Sequence, residues 1–322
     1  TLRCIAGLET PTSGSIEMYG RDITAVPANK RNLAMMFQNI ALYPHMKVSD
    51  NIGYPLKVRG IDKSERESRA EDAAKIMQIE DMLEKYPGEI SGGQRQRAAL
   101  ARTIVQDPEA FLMDEPLSDL DAKLKMEIRK EIQKVHNQVE KPTVYVTHDQ
   151  EEAMTMSDRI AVMNDGEIEQ IGTPDELFSR PTDLFVAEFI GHPKINLLSG
   201  ELLQTKESKG QIRIEGDIVD LSFAKQVNTQ STSDIILGFR PSDGKLVSDA
   251  GQGDVRGRIS LLERTGDQKL ATIDGPQGEI RVQLAVDTKY TEGEEVGIVV
   301  DPGRFHLFDQ LSGEIMVNGA NL

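Results

Sequence analysis

The sequence predicts an α/β domain followed by an all-β domain, and three observations carry that expectation. Two apolar runs, Ala110–Pro116 (AFLMDEP) and Thr143–Asp149 (TVYVTHD), end in polar residues, the pattern of parallel strands buried on both faces. Between them Leu124, Ile128, Ile132, Val135 and Val139 recur at spacings of four, four, three and four, one face of a helix. Strand, helix and parallel strand form the α/β unit. From about residue 200 onward, apolar and polar residues alternate between Gly-rich turns, as in antiparallel sheets.

Residues 61–86 are charged and helix-favouring, and read as a helical insert between two parts of the α/β core. Ser91-Gly92-Gly93-Gln94 then opens a helix in which Ala98, Ala101 and Val105 share a face. The stretch Arg159–Gly172 reads as two short strands around Asn164-Asp165-Gly166, a hairpin signal. Gly172–Gly200 reads as proline-capped short helices leading out of the domain. Beyond it QIRIEG, GDVRGRISLL, KLATID, EIRVQLA and EVGIVVD each alternate, and are expected to be strands of a small β-barrel. The expected domains are 1–195, with a helical subdomain at about 45–100, and 196–322.

Composition narrows the function classes. A formal net charge of −16, spread over both parts, argues against a nucleic-acid-binding surface, which needs clustered Lys and Arg, and for a solvated acidic surface. The single Cys4 forbids an intrachain disulfide. No apolar run approaches the ~20 residues of a membrane helix, and the first residues, TLRCIAGLETPTSG, lack both a secretory-signal pattern and an initiator Met. A soluble, cytoplasmic protein whose given sequence begins part-way through its gene product is expected.

The candidate chemistry lies in three short stretches. At Ser91-Gly92-Gly93-Gln94 the glycines leave backbone N–H groups at a helix N-terminus unobstructed, a setting for an anion. Asp114 and Glu115 end an apolar strand as adjacent carboxylates, the first suited to Mg²⁺ and the second to polarising a water for attack on phosphorus. The next expected strand ends in Thr147-His148-Asp149, which sets an imidazole beside the same edge. These features describe half of an ATP site. No Gly-rich loop ending in Gly-Lys-Ser/Thr occurs in the 322 residues; the nearest approach, Asp243-Gly244-Lys245-Leu246, lacks both the hydroxyl residue and the upstream glycine.

In this order and spacing SGGQ, LMDEP, SDLD (Ser118–Asp121) and VTHD resemble the nucleotide-binding subunit of an ATP-binding cassette (ABC) transporter. Met35–Ile52 (MMFQNIALYPHMKVSDNI) resembles the family's Q-loop, with Gln38 in the place of its glutamine. ALYPHM, MDEPLSDLDAKL, VYVTHDQEEAMTMSDRIAVM and FIGHPKINLLSG resemble the importer branch for maltose, other oligosaccharides and glycerol phosphate. LGFRP (Leu237–Pro241) resembles a motif of that branch's C-terminal regulatory domain. Asp119 departs from the Asn usual there and adds a negative charge.

The resemblance implies a P-loop NTPase-type domain followed by oligonucleotide-binding (OB)-type barrels, with ATP and Mg²⁺ as cofactors. It also implies that the phosphate loop lies just upstream of Thr1. Two copies, or a copy and a close paralogue, would pair head to tail with each ATP between them. Ser91, Gly92, Gly93 and Gln94 would meet the γ-phosphate held by the other copy. Asp114 would hold Mg²⁺, Glu115 would act as general base, and His148 would orient the water. Gln38 would touch metal or water, and Asp121 would communicate between the sites. Two transmembrane permease subunits and, indirectly, an extracellular solute-binding protein are the implied partners, with the chain on the cytoplasmic face of the membrane. Importers of polyamine, iron or sulfate share much of the pattern; a binding and regulatory subunit without catalysis is the other alternative.

Overall fold

Three parallel strands organise the first part of the chain. The computed structural model describes residues 1–39, 41–118, 120–203, 210–214, 217–221, 234–266, 268–275, 278–301 and 303–319. It divides into two compact units, Thr1–Met156 and Ser157–Leu322. Asp119 and the last two residues of QIRIEG lie outside the described residues.

The first unit opens with helix α1 (Leu2–Ala6) and the short pair β1 (Glu17–Met18) and β2 (Arg21–Asp22). Helix α1 ends at Gly7, whose φ of 77° is left-handed; a Cβ there would meet the Arg31 guanidinium. That guanidinium is buried and donates to the carbonyls of Cys4, Ile5, Thr24 and Val26, so it closes the C-terminal end of α1. Strand β3 (Leu33–Met36) comes next, then α2 (Val48–Val58), α3 (Lys63–Ile76), α4 (Gly92–Ile104), β4 (Ala110–Asp114), α5 (Ala122–Val139), β5 (Thr143–Val146) and α6 (Gln150–Met156).

The sheet runs β3-β4-β5, with β4 central and all three strands parallel. Ala110, Phe111, Leu112 and Met113 are buried because β4 is covered on both faces: α1 sets Leu2 and Ala6 on Leu112, and the larger core takes Phe111 and Met113. Ile128, Ile132 and Val135 of α5 are buried in that core and Leu124 and Val139 are packed against it, the face expected from their spacing.

The expected helical insert over 61–86 is half helix. Helix α3 stops at Ile76 because Gln78 turns the chain at φ 54°, and two 3₁₀ turns, Glu80–Met82 and Pro87–Glu89, fill the rest. Its buried residues are Ala70, Ala73 and Ala74, small enough for close approach, while the charges point outward.

The second unit begins with the antiparallel hairpin β6 (Ile160–Asn164) and β7 (Glu167–Gly172). Asp165 (φ 47°) and Gly166 (φ 89°) make the turn, both left-handed, as a two-residue hairpin of this hand requires. Helix α7 (Pro174–Ser179) starts on a Thr173–Glu176 capping box with Pro174 at its first position. The second short helix, α8 (Leu184–Phe189), departs from the expected proline cap: Asp183 caps it by accepting from the Val186 N–H.

Beyond α8 the described strands are β8 (Asn196–Leu203), β9 (Gly210–Ile214), β10 (Asp217–Leu221), β11 (Asp234–Phe239), β12 (Gly244–Val247), β13 (Val255–Thr265), β14 (Gln268–Gly275), β15 (Gly278–Ala285), β16 (Glu295–Val300), β17 (His306–Asp309) and β18 (Ile315–Asn318). The expected OB-type barrel is built as two antiparallel sheets, ordered β10-β9-β8-β11-β17-β18 and β12-β16-β13-β14-β15. They close on one core, in which Leu237 and Phe239 of the first sheet join Val255, Ile273, Val282 and Ile298 of the second.

The units divide at Met156, ahead of the boundary expected near 195, and the hydrogen bonds of segment 178–190 supply the reason. The Leu184 N–H donates to Gly313 O (2.8 Å) and the Ile315 N–H to Thr182 O (3.1 Å). The buried Arg240 guanidinium donates to Ala187 O (2.8 Å), Ile190 O (2.6 Å) and Phe178 O (3.3 Å), and lies 4.5 Å from the Phe178 ring centroid. Residues far along the chain thus hold the two short helices.

Candidate active site

Parallel strands that end at one edge bring together the residues just past their carboxyl ends. Asp114 ends β4 opposite Val146, the last residue of β5, and Met36 ends β3 opposite Met113. Glu115, His148 and Gln38 come one or two residues later, at the carboxyl edge where open α/β sheets bind ligands. The Gln38 amide Nε2 donates to Glu115 Oε2 at 2.9 Å, and His148 Nδ1 lies 3.3 Å from the same oxygen. The site faces solvent, the His148 side chain being 66% and the Glu115 side chain 28% exposed.

The Glu115 backbone is strained. Its φ is 44°, left-handed for a residue that is not glycine, and it precedes Pro116, which further restricts it. Such a conformation costs about 1–3 kcal/mol and persists only where surroundings enforce it. Here the Glu115 N–H donates to Val146 O (2.9 Å), while its carbonyl accepts from the Ser118 N–H (3.3 Å) and Oγ (3.1 Å). The turn lifts the side chain off the strand and onto the edge, beside the half-buried Asp114.

Ser91 caps α4. Its Oγ accepts from the Gln94 N–H (3.3 Å) and the Gln94 side chain accepts from the Ser91 N–H (2.9 Å), a reciprocal capping box. The two glycines, expected to be alike in leaving the N-terminus open, differ. A Cβ on Gly92 would come no nearer than 3.8 Å to Arg95, whereas one on Gly93 would collide with the Leu124 side chain. Gly93 is buried and its missing side chain serves packing of α4 on α5, while Gly92 is exposed. Asp121 caps α5, its Oδ1 accepting from the Leu124 N–H at 3.0 Å. Gln38, Glu115 and His148 thus form one cluster, and Ser91–Gln94 a separate turn.

Three residues without a sequence signal hold these parts. Buried Gln96 donates from Nε2 to Pro116 O. Buried Glu152 accepts from Thr147 Oγ1 (2.8 Å) and Tyr145 OH (2.8 Å), which anchors the turn carrying His148; burial and this carboxylate push the Tyr145 phenol pKa up. Asn51, fully buried, accepts from the Tyr43 N–H (2.7 Å) and donates to the carbonyls of Tyr43, Met46 and Lys47, pinning the ALYPHM loop.

The donor set is made of oxygens: the Asp114 carboxylate, and the Gln38 amide oxygen left over once its nitrogen is committed to Glu115. Among the described residues no group of three or more His, Cys, Asp or Glu side chains gathers as for an all-protein metal cage. One or two protein oxygens beside a phosphate is how Mg²⁺ is ordinarily held, so the residues present fit that ion. Among the described residues no helix is long and apolar enough to cross a membrane.

Comparison with known proteins covers nearly the whole chain. The ABC transporter family matches residues 1–118 and the TOBE domain matches residues 237–308. The chain is 41% identical to the xylose/arabinose import ATP-binding protein XacJ of Haloferax volcanii, over 99% of this chain and 85% of that protein. It is 41% identical to the sn-glycerol-3-phosphate import ATP-binding protein UgpC of Escherichia coli K12, over 97% and 86% respectively. The sulfoquinovosyl glycerol transport ATP-binding protein SmoE of Agrobacterium fabrum is 38% identical over 96% and 86%. With its polar cluster at the carboxyl edge of a parallel sheet and a TOBE region later in the chain, the chain belongs to the ABC transporter family, as an ATPase of the import ATP-binding group.

Proposed function

We propose that this chain is the ATP-hydrolysing subunit that powers an importer of sugars, oligosaccharides or polyols, with Glu115 as general base. The observation that carries the assignment is the convergence of Gln38 and His148 on Glu115 Oε2. A carboxylate with two neighbours on one oxygen is held in place to take a proton from water with the other. The strained backbone keeps the carboxylate off the strand and aimed at the edge. His148 and Gln38 orient the attacking water and the γ-phosphate.

Asp114 and Gln38 would hold Mg²⁺, whose charge offsets that of the ATP phosphates. Two copies face each other, and Ser91 with the Gly92-Gly93-Gln94 turn meets the γ-phosphate bound to the other copy, where a helix N-terminus favours negative charge. Asp121, at the head of α5, lies on the loop between these two functions. The chain sits on the cytoplasmic side against two permease subunits, which receive the surface around Tyr43 and the charged face of α3; a solute-binding protein delivers the cargo. The sugar-type assignment is supported by relatives whose names specify pentose, glycerol phosphate and sulfoquinovosyl glycerol import.

Glu115→Gln keeps the shape of the side chain and removes the base. In the assembled importer it lowers steady-state ATP hydrolysis by a factor of about 100 or more while ATP-driven closure persists. Steady-state phosphate release and scattering or crosslinking measure the two; a variant retaining most of the wild-type rate would remove Glu115 from the role.

A further inference from the structure

We propose that Gln96 is a positioning residue for Glu115, and that through it α4 couples the Ser91–Gln94 turn to the hydrolytic carboxylate of the same chain. The inference rests on the reading of Glu115 as general base. It starts from a buried amide: Gln96 is 3% exposed, in a core whose neighbouring α4 residues are Ala98, Ala99, Leu100 and Ala101. A buried amide is costly unless it is hydrogen-bonded, and an apolar side chain of the same size would fill the space. This one donates to Pro116 O, the carbonyl that immediately follows Glu115.

The backbone from Glu115 to Pro116 is therefore held from three directions. Its own N–H is tied to β5 through Val146 O, its carbonyl is tied forward to Ser118, and the next carbonyl is tied to α4 by Gln96. A left-handed glutamate before a proline returns to an extended conformation when such ties are cut. On α4, Gln96 lies three residues after Gly93 and so on the same face. Gly93 packs on Leu124, the residue whose N–H is capped by Asp121. The face of α4 below the Ser91 cap thus grips the Glu115–Leu124 segment at both ends. A displacement of α4 when its N-terminus closes on a phosphate pulls on the backbone of Glu115, so each chain's contact with the other copy's nucleotide reports to its own base.

Gln96→Leu removes the donor and keeps the volume. In the assembled importer its kcat for ATP hydrolysis falls between about 10- and 100-fold, the scale of a misplaced catalytic group, while KM for ATP and ATP-driven closure stay at wild-type values. Because Gln96 acts through Glu115, the double variant Gln96→Leu/Glu115→Gln is no slower than Glu115→Gln alone. A wild-type kcat in Gln96→Leu, a rise in KM with unchanged kcat, or losses that multiply in the double variant would each overturn the inference. If Gln96→Leu does not fold, Gln96→Asn, which keeps the amide one methylene short, is measured in its place; failure of both to fold makes the residue structural and overturns the inference as well. Glu115→Gln alone separates the two levels. If it retains hydrolysis, the general-base reading falls; if it is inactive while Gln96→Leu is wild type, only the positioning role falls.

Discussion

Glu115 in the first unit and Arg240 in the second are both charged residues on which several elements converge, and they are held in opposite ways. Arg240 is 2% exposed and spends its guanidinium on three backbone carbonyls and an aromatic face. Glu115 is partly exposed, and its carboxylate meets two other side chains at the rim of a sheet. Backbone carbonyls do not titrate or leave, so a charge buried among them fixes structure. Side chains and solvent can rearrange around a substrate, so a charge set among them is available for chemistry. The contrast separates a residue that holds the fold from one that the fold holds.

Removing each charge tests the contrast, and the largest effect falls on the second unit. Arg240→Ala strands the carbonyls of Phe178, Ala187 and Ile190 and releases α7 and α8; we expect a loss of about 3–5 kcal/mol in the unfolding free energy of that unit. Urea titration measures it, and a change below about 1 kcal/mol would place the anchor of residues 178–190 elsewhere.

A second, slightly smaller effect is read by pH. His306 is held neutral, its pKa down at about 4, because burial and then the Arg240 charge penalise the imidazolium. An unfolded imidazole titrates near 6.5, so the unfolded chain takes up the proton first as pH falls. The contribution is complete above about pH 6.5 and is lost towards pH 4, by about 3 kcal/mol over the window. His306→Gln flattens the stability profile between those limits; an unchanged slope would assign the acid sensitivity to other groups.

The smallest effect has the opposite sign. Glu115→Gly frees a left-handed position from its Cβ and is expected to raise the stability of the first unit by about 1 kcal/mol while eliminating hydrolysis. A lowered thermal midpoint would mean that the ties to Gln38 and His148 outweigh the strain.

Legibility in the sequence divides along the same line. The strands around Asp114 and Val146, the α5 face and the Asp165-Gly166 turn are written in local periodicity and turn chemistry, and each was legible. Gln38, Asp114, Glu115 and His148 were legible as motif residues, and parallel pairing brings Gln38, Glu115 and His148 into one cluster. Gln96, Asn51 and Arg240 were not, because their partners are mainly backbone carbonyls, which carry no sequence identity, and the partners of Gln96 and Arg240 are also distant in the chain. The stop of α3 was hidden because Gln78 gives no hint of a positive φ. The packing of Gly93 on Leu124 was not legible because a glycine needed for helix packing and one needed for ligand access look the same in a sequence.

Asn51 has a consequence for affinity. One buried amide holds the carbonyls of Tyr43, Met46 and Lys47, and Tyr43 leans on Tyr54 with ring centroids 4.8 Å apart. The loop is thus held in one shape before any partner meets it, and a complex formed at the exposed edge of Tyr43 would be charged little ordering entropy. Binding strength at that surface would then be set by the side chains presented, on a loop whose form does not depend on them.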